Sequence, residues 1–220
     1  MVCRHGIECT ELECMYSCSH WSTLSPPDLV IEKFYTAVQK CYNENKLSIK
    51  SNLDLPYGDG ERQKIDIWGD EENWQTAFIF FHGGYWQHRW PKKRLFAGGH
   101  SAGAHLALSA LLSLGSESRY DGAFLISGVY FLQDLPATYI GRAIKLKPSE
   151  AKTASIEDVH GYKNSIMLLV GSLESPQLLK QSQKLFNLFK MKAVCEDIQM
   201  KDIFENQLAI AEILPKSSVF

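Results

Sequence analysis

The stretch "FFHGGYWQHRWPKKRLFAGGHSAGAHLA", residues Phe80–Ala107 of a 220-residue chain, holds two glycine-rich motifs that almost touch. The second, Gly99-His100-Ser101-Ala102-Gly103, is a G-x-S-x-G pattern. A serine in that pattern sits on a strained turn between a strand and a helix, so its hydroxyl projects at the carboxyl edge of a sheet. Small residues two before and two after it let neighbouring backbone pass close. The backbone N–H of Ala102, at the helix start, can then bind a developing oxyanion. The flanks agree with this. "RLFAG" before the serine is a short strand-like run, and "SAGAHLALSALLSL" is rich in alanine and leucine, both strong helix formers.

The first motif is His82-Gly83-Gly84-Tyr85-Trp86, directly after the apolar run "TAFIFF". Such a segment supplies further oxyanion-hole donors in lipase-like and esterase-like hydrolases. Glycines are needed because the backbone must turn its N–H groups toward a substrate with no side chain in the way. His82 is expected to brace this loop. Trp86 either walls an aromatic pocket or packs, and both readings stay open.

Working outward, "TAFIFF" reads as a strand buried on both faces of a parallel sheet. "SPPDLVIEKFYTAVQKCYNENK" reads as a helix with Leu29, Phe34, Val38 and Tyr42 on one face. "KLSIKSNLDL" and "RQKIDIWG" read as a hairpin around the turn "PYGDG". After Leu95 the pattern is strand, helix, strand ("GAFLIS"), then the strand "SIMLLVG", the amphipathic helix "SPQLLKQSQKLFNLFK", a strand "AVCEDIQM" and a last helix "IFENQLAIAEIL". Alternating strands and helices predict an α/β protein, a three-layer sandwich with a mostly parallel sheet.

With 23 basic and 25 acidic residues, and only "PKKR" as a basic run, nucleic acid is not an expected partner. No apolar run reaches the roughly 20 residues of a membrane span, so no membrane association is expected. No signal-peptide core opens the chain, and the expected compartment is the cytosol. A homodimer is left open. Cys3, Cys9, Cys14 and Cys18 crowd the first stretch with His5 and His20, but their spacing is not the paired C-x2-C of strong zinc sites. Residues 1–20 therefore read as a disordered, reduced tail with no metal, before a single domain over 21–220.

"HGGYW", "GHSAGAHLA", "LISGVYFL" with "ATYIGRAIKL", "LLVGSLESPQLLKQS", "LPYGDGERQKIDIW" and "MYSCSHW" together resemble the kynurenine formamidase (arylformamidase) family from Met15 onward. The H-G-G-x-W form separates it from general esterases, which tend toward H-G-G-G. The resemblance implies an α/β-hydrolase fold without cofactor, and cleavage of N-formyl-L-kynurenine to kynurenine and formate in tryptophan catabolism. Residue by residue it implies Ser101 as nucleophile, with Gly83, Gly84 and Ala102 as oxyanion hole. Glu174 falls at the family's acid, commonly Asp, and glutamate can orient a histidine equally well.

Two features depart from the family. Its base is a histidine in a "DHF"-like sequence, whereas the matching stretch here is "KDIFEN", with Ile203 in that place. The last histidine is His160, before Glu174, and chain order in this fold is serine, acid, histidine. In the family, moreover, a helix, a strand, another helix and the start of a further strand separate the two motifs. Here ten residues, Tyr85 to Arg94, join Gly84 to Leu95. A crossover between parallel strands needs about a dozen residues or more. One strand-helix unit is expected to be missing, most simply by exon skipping or a faulty gene annotation. The strands ending at Phe81 and Phe96 should then be neighbours, with a gap between "TAFIFF" and the first hairpin.

Overall fold

The computed structural model describes residues 2–22, 26–61, 63–70, 72–73, 76–81, 94–114, 120–160, 162, 164–171, 174–191, 200–204 and 208–213. His82, Gly83, Gly84, Tyr85 and Trp86 lie outside these residues. The sheet that organises the protein has β3 (Thr76–Phe81), β4 (Arg94–His100), β5 (Gly122–Ile126), β6 (Ser165–Gly171), β7 (Met200–Phe204) and β8 (Leu208–Ile213), in the order β3-β4-β5-β6-β8-β7. β3 to β6 run parallel, and β8 and β7 add to β6 antiparallel. Phe78 pairs with Phe96, so the strands on either side of the ten-residue link are direct neighbours, as the shortened link requires.

The parallel register sorts side chains into two faces. Leu95, Ala97, Ala123, Leu125, Ile166 and Leu168 share one face and are buried. Against them pack Ala104, Ala107, Leu108 and Leu111 of α4 (Ala102–Leu114) and Leu185 and Phe189 of α7 (Pro176–Met191). Burying each such leucine or phenylalanine contributes about 1.5–3 kcal/mol, so this layer dominates the stability of the described fold. The opposite face carries Phe78, Phe80, Phe96, Phe124, Met167 and Leu169. Their rings stack edge to face, Phe78 to Phe124 at 5.4 Å and Phe96 to Phe124 at 5.7 Å. Yet Phe78 and Phe80 are about half exposed, at 49% and 48%. Among the described residues β3, expected to be buried on both faces, pairs on one side only, and its Phe78 and Phe80 meet water.

The hairpin forms as expected, from β1 (Ser51–Pro56) and β2 (Lys64–Trp68), but as a separate two-stranded sheet. Among the described residues no strand joins the hairpin to β3. The helix before it, α3 (Pro27–Ser48), has no buried residue, and its apolar Leu29, Phe34, Val38 and Tyr42 are exposed. The segment expected as a last helix is corrected. "LAIAEI" alternates in hydrophobicity and forms β8, because the free edge of β6 offers a complete ladder of partners.

The first residues are also corrected. In place of a disordered tail, residues 2–22 carry α1 (Glu11–Tyr16) and α2 (Cys18–Trp21). Thr10 caps α1 in a reciprocal capping box with Glu13. The Glu13 carboxylate also meets the Arg142 guanidinium at 2.6 Å, from α5 (Tyr139–Ala143). Tyr16 is buried, and its hydroxyl accepts from Gln181 of α7 at 3.3 Å. The segment is ordered because it has a cap, an ion pair and an aromatic anchor on the main body. No described helix is long and apolar enough to cross a membrane.

Candidate active site

Ser101 stands between β4 and α4, the turn its motif requires. Its φ is +57°, the left-handed region that a non-glycine residue enters only under constraint. That constraint is visible. The Ser101 N–H donates to Ile126 O at 2.9 Å, while its carbonyl accepts from Ala104 and His105 to start the helix. The backbone is thus pinned to β5 on one side and α4 on the other. Close behind, Gly98 has no room for a side chain. A Cβ there would lie 2.6 Å from Phe124 O and 2.6 Å from the Phe78 ring.

Glu174 follows β6 by three residues, with its N–H donating to Gly171 O at 3.0 Å. Its Oε1 accepts from the Ser127 hydroxyl at 2.8 Å. Ser127 directly follows β5, is buried, has φ +44° and donates its N–H to Leu169 O at 2.7 Å. Ser101, Ser127 and Glu174 therefore rise from the carboxyl ends of three consecutive strands. The part of Ser127 was not read from the sequence. Its signal is a Ser-Gly pair ending a buried strand, a place where a short polar side chain can reach the next loop.

The thiol of Cys18 lies against Glu174 and Ser175, although the residue as a whole is exposed. Burial of the sulfur, and then the negative charge of Glu174, push it up to about 11, so it stays a neutral thiol at physiological pH. Among the described residues no histidine hydrogen-bonds Ser101 or Glu174. His105 instead reaches Ala154 O at 2.7 Å, and burial lowers its pKa, which fits a packed histidine rather than a base. His160 lies exposed in the loop before β6. Ile203 lies in β7, at the far edge of the sheet beyond β8. Among the described residues one group of side chains could hold a metal: Cys3, Cys9, Cys14 and His20, whose ligand atoms all lie within 4.8 Å of one another. The sequence spacing had argued against it.

The strand order and the strained serine turn define an α/β-hydrolase fold. A solved structure from Silicibacter sp. TM1040, assigned provisionally as a thioesterase, matches it with a TM-score of 0.66 at 20% identity, over 83% of this chain and 88% of that one. More particularly, the chain is similar to the kynurenine formamidases of Danio rerio, 27% identical, and Salmo salar, 26% identical, each over 88% of this chain and 88% of the relative. No family model matches. The alignment with the Danio rerio protein runs over 261 positions, more than the 220 residues of the whole chain, so that relative carries internal sequence that this chain lacks.

Proposed function

We propose that the chain is a shortened form of an aryl formamide hydrolase, one that cleaves N-formyl-L-kynurenine to L-kynurenine and formate with a serine nucleophile. The observation that carries this reading is the φ of +57° at Ser101 on the β4–α4 turn, in a chain similar to kynurenine formamidases over most of its length. Ser101 Oγ attacks the formyl carbon. The N–H groups of Ala102, Gly83 and Gly84 take up the oxyanion. The arylamine leaves with a proton, and water releases formate from the formyl-serine. A formyl group needs little acyl space, and we assign Tyr85 and Trp86 of the first motif to the aryl part.

A specific departure favours a second reading for this chain, a catalytically impaired relative that keeps binding without turnover. No histidine follows Glu174, so the Ser101 proton has no positioned acceptor. The Glu174 carboxylate is engaged by Ser127 instead of an imidazole. Positioned proton transfer contributes about 10²–10⁴-fold, so turnover is expected to fall by that factor below a complete relative.

The test is kynurenine release by purified protein, beside Ser101→Ala and Ile203→His, with a short aryl ester as competing substrate. Slow release abolished by Ser101→Ala is the expected result. Ile203→His should recover little, because β8 stands between β7 and β6. Full turnover by the unmodified chain would overturn the impairment, and cleavage of the ester alone would point to a carboxylesterase.

A further inference from the structure

Residues 2–22 build a four-ligand cluster on the first corner of the molecule. Val2 pairs with Glu8, and Cys3 N–H donates to Ile7 O at 2.8 Å. The chain turns back at Gly6, whose φ is +79°, so Cys3 and Cys9 stand on the two arms of one tight loop. Cys14 comes from α1, and its side chain is buried. His20 comes from α2, with Nδ1 3.9 Å from Cys3 Sγ. The Trp21 indole donates to Cys14 O at 2.8 Å, which holds α2 against α1.

We propose that Cys3, Cys9, Cys14 and His20 bind one thiophilic divalent cation, Zn²⁺, as a closed structural site. Zinc with three thiolates and one imidazole has bonds of about 2.3 Å to sulfur and about 2.0–2.1 Å to nitrogen in a tetrahedron. Four donors gathered within 4.8 Å need only small side-chain rotations to meet one ion. The N–H groups of His5 and Ile7 and the thiols of Cys9 and Cys14 all point at the Cys3 sulfur. Amide donation to a ligand sulfur is the outer-shell support that metal thiolates use.

A disulfide accounts for this arrangement less well, because it would join two of three converging thiols and leave the third beside an imidazole. Four protein ligands leave no open position, so the ion has no direct catalytic part. Its effect is mechanical. It ties the loop, α1 and α2 into one unit, which Tyr16 docks on α7 and Cys18 places beside Glu174.

The experiment uses the full chain, stripped with chelator in reducing buffer and given zinc chloride or cobalt(II). One zinc per chain is expected, and cobalt should give tetrahedral ligand-field bands with thiolate charge transfer. Cys9→Ser and His20→Ala should each weaken zinc retention by about 100-fold or more, since loss of an outer-shell partner alone costs 10–100-fold. Cys18→Ser and His5→Asn should leave it unchanged. If the ligand variants fail to fold, alkylation of the unmodified chain still decides. Zinc should shield Cys3, Cys9 and Cys14 while the exposed Cys41 reacts, and chelator should remove the shielding. Equal labelling with and without zinc, substoichiometric zinc in the reduced chain, or octahedral cobalt spectra would each overturn the proposal.

Discussion

The carboxamide of Gln181 is buried in α7 and serves four partners. Its oxygen accepts the backbone N–H groups of Tyr130 and Phe131 at 2.9 and 2.8 Å. Its nitrogen donates to Phe131 O at 2.7 Å and to the Tyr16 hydroxyl. An apolar replacement of similar size leaves two buried donors and one acceptor unpaired, at about 1–3 kcal/mol for each group. Gln181→Leu is therefore expected to destabilise the protein by about 3 kcal/mol or more, read from urea denaturation midpoints. Glu13 behaves differently because it is charged. Donation from the Thr10 backbone, and next from Arg142, holds its carboxyl at about 2, below the ordinary 4.5. A lowered folded pKa stabilises the fold above the ordinary value, and that stability is lost as pH falls through about 2. Glu13→Gln should be less stable than the unmodified chain at neutral pH, and the difference should shrink steadily below about pH 4.5. A constant difference down to pH 2 would show that the carboxylate's charge is not responsible.

Among the elements, β4 and α4 were legible because two signals coincide there, the glycine spacing around Ser101 and a change from strand-like to helical pattern. The parallel order of β3 to β6 followed from the same alternation. β8 was not legible, since a short apolar segment takes the form its neighbours offer, and here the neighbour is the open edge of β6. The ligand cluster was hidden for another reason. Its donors come from a loop and two short helices, so their spacing matches no regular motif, and only the turn at Gly6 brings Cys9 back to Cys3. Glu174 was singled out by resemblance, but its contact with Ser127 was not, because that contact crosses from one strand end to the next. The half-bare sheet face also leads to a prediction. Phe78 and Phe80 are exposed beside Phe96 and Phe124, a contiguous aromatic surface that folded proteins usually cover. A hydrophobic fluorescent dye should bind the folded chain, and Phe80→Lys should reduce that signal by more than half without lowering the denaturation midpoint. An unchanged signal would place the dye site elsewhere.

For the whole molecule, α4, α7 and one sheet face enclose a buried core, while among the described residues apolar side chains of α3 and of the second sheet face stay exposed. The internal sequence present in the Danio rerio relative and absent here fits that division. Among the described residues β3 pairs on one side only, and its other margin presents unmatched backbone donors and acceptors next to bare phenyl rings. Sheet margins of that kind are where polypeptides adhere to one another. In a cell, such a margin is expected to draw chaperones and proteases, and marginal folding there translates into steady-state amount. The quantity that separates this form from a complete one is then its lifetime as much as its turnover: it would be made, retained by the folding machinery and cleared, and its abundance would rise when degradation is blocked.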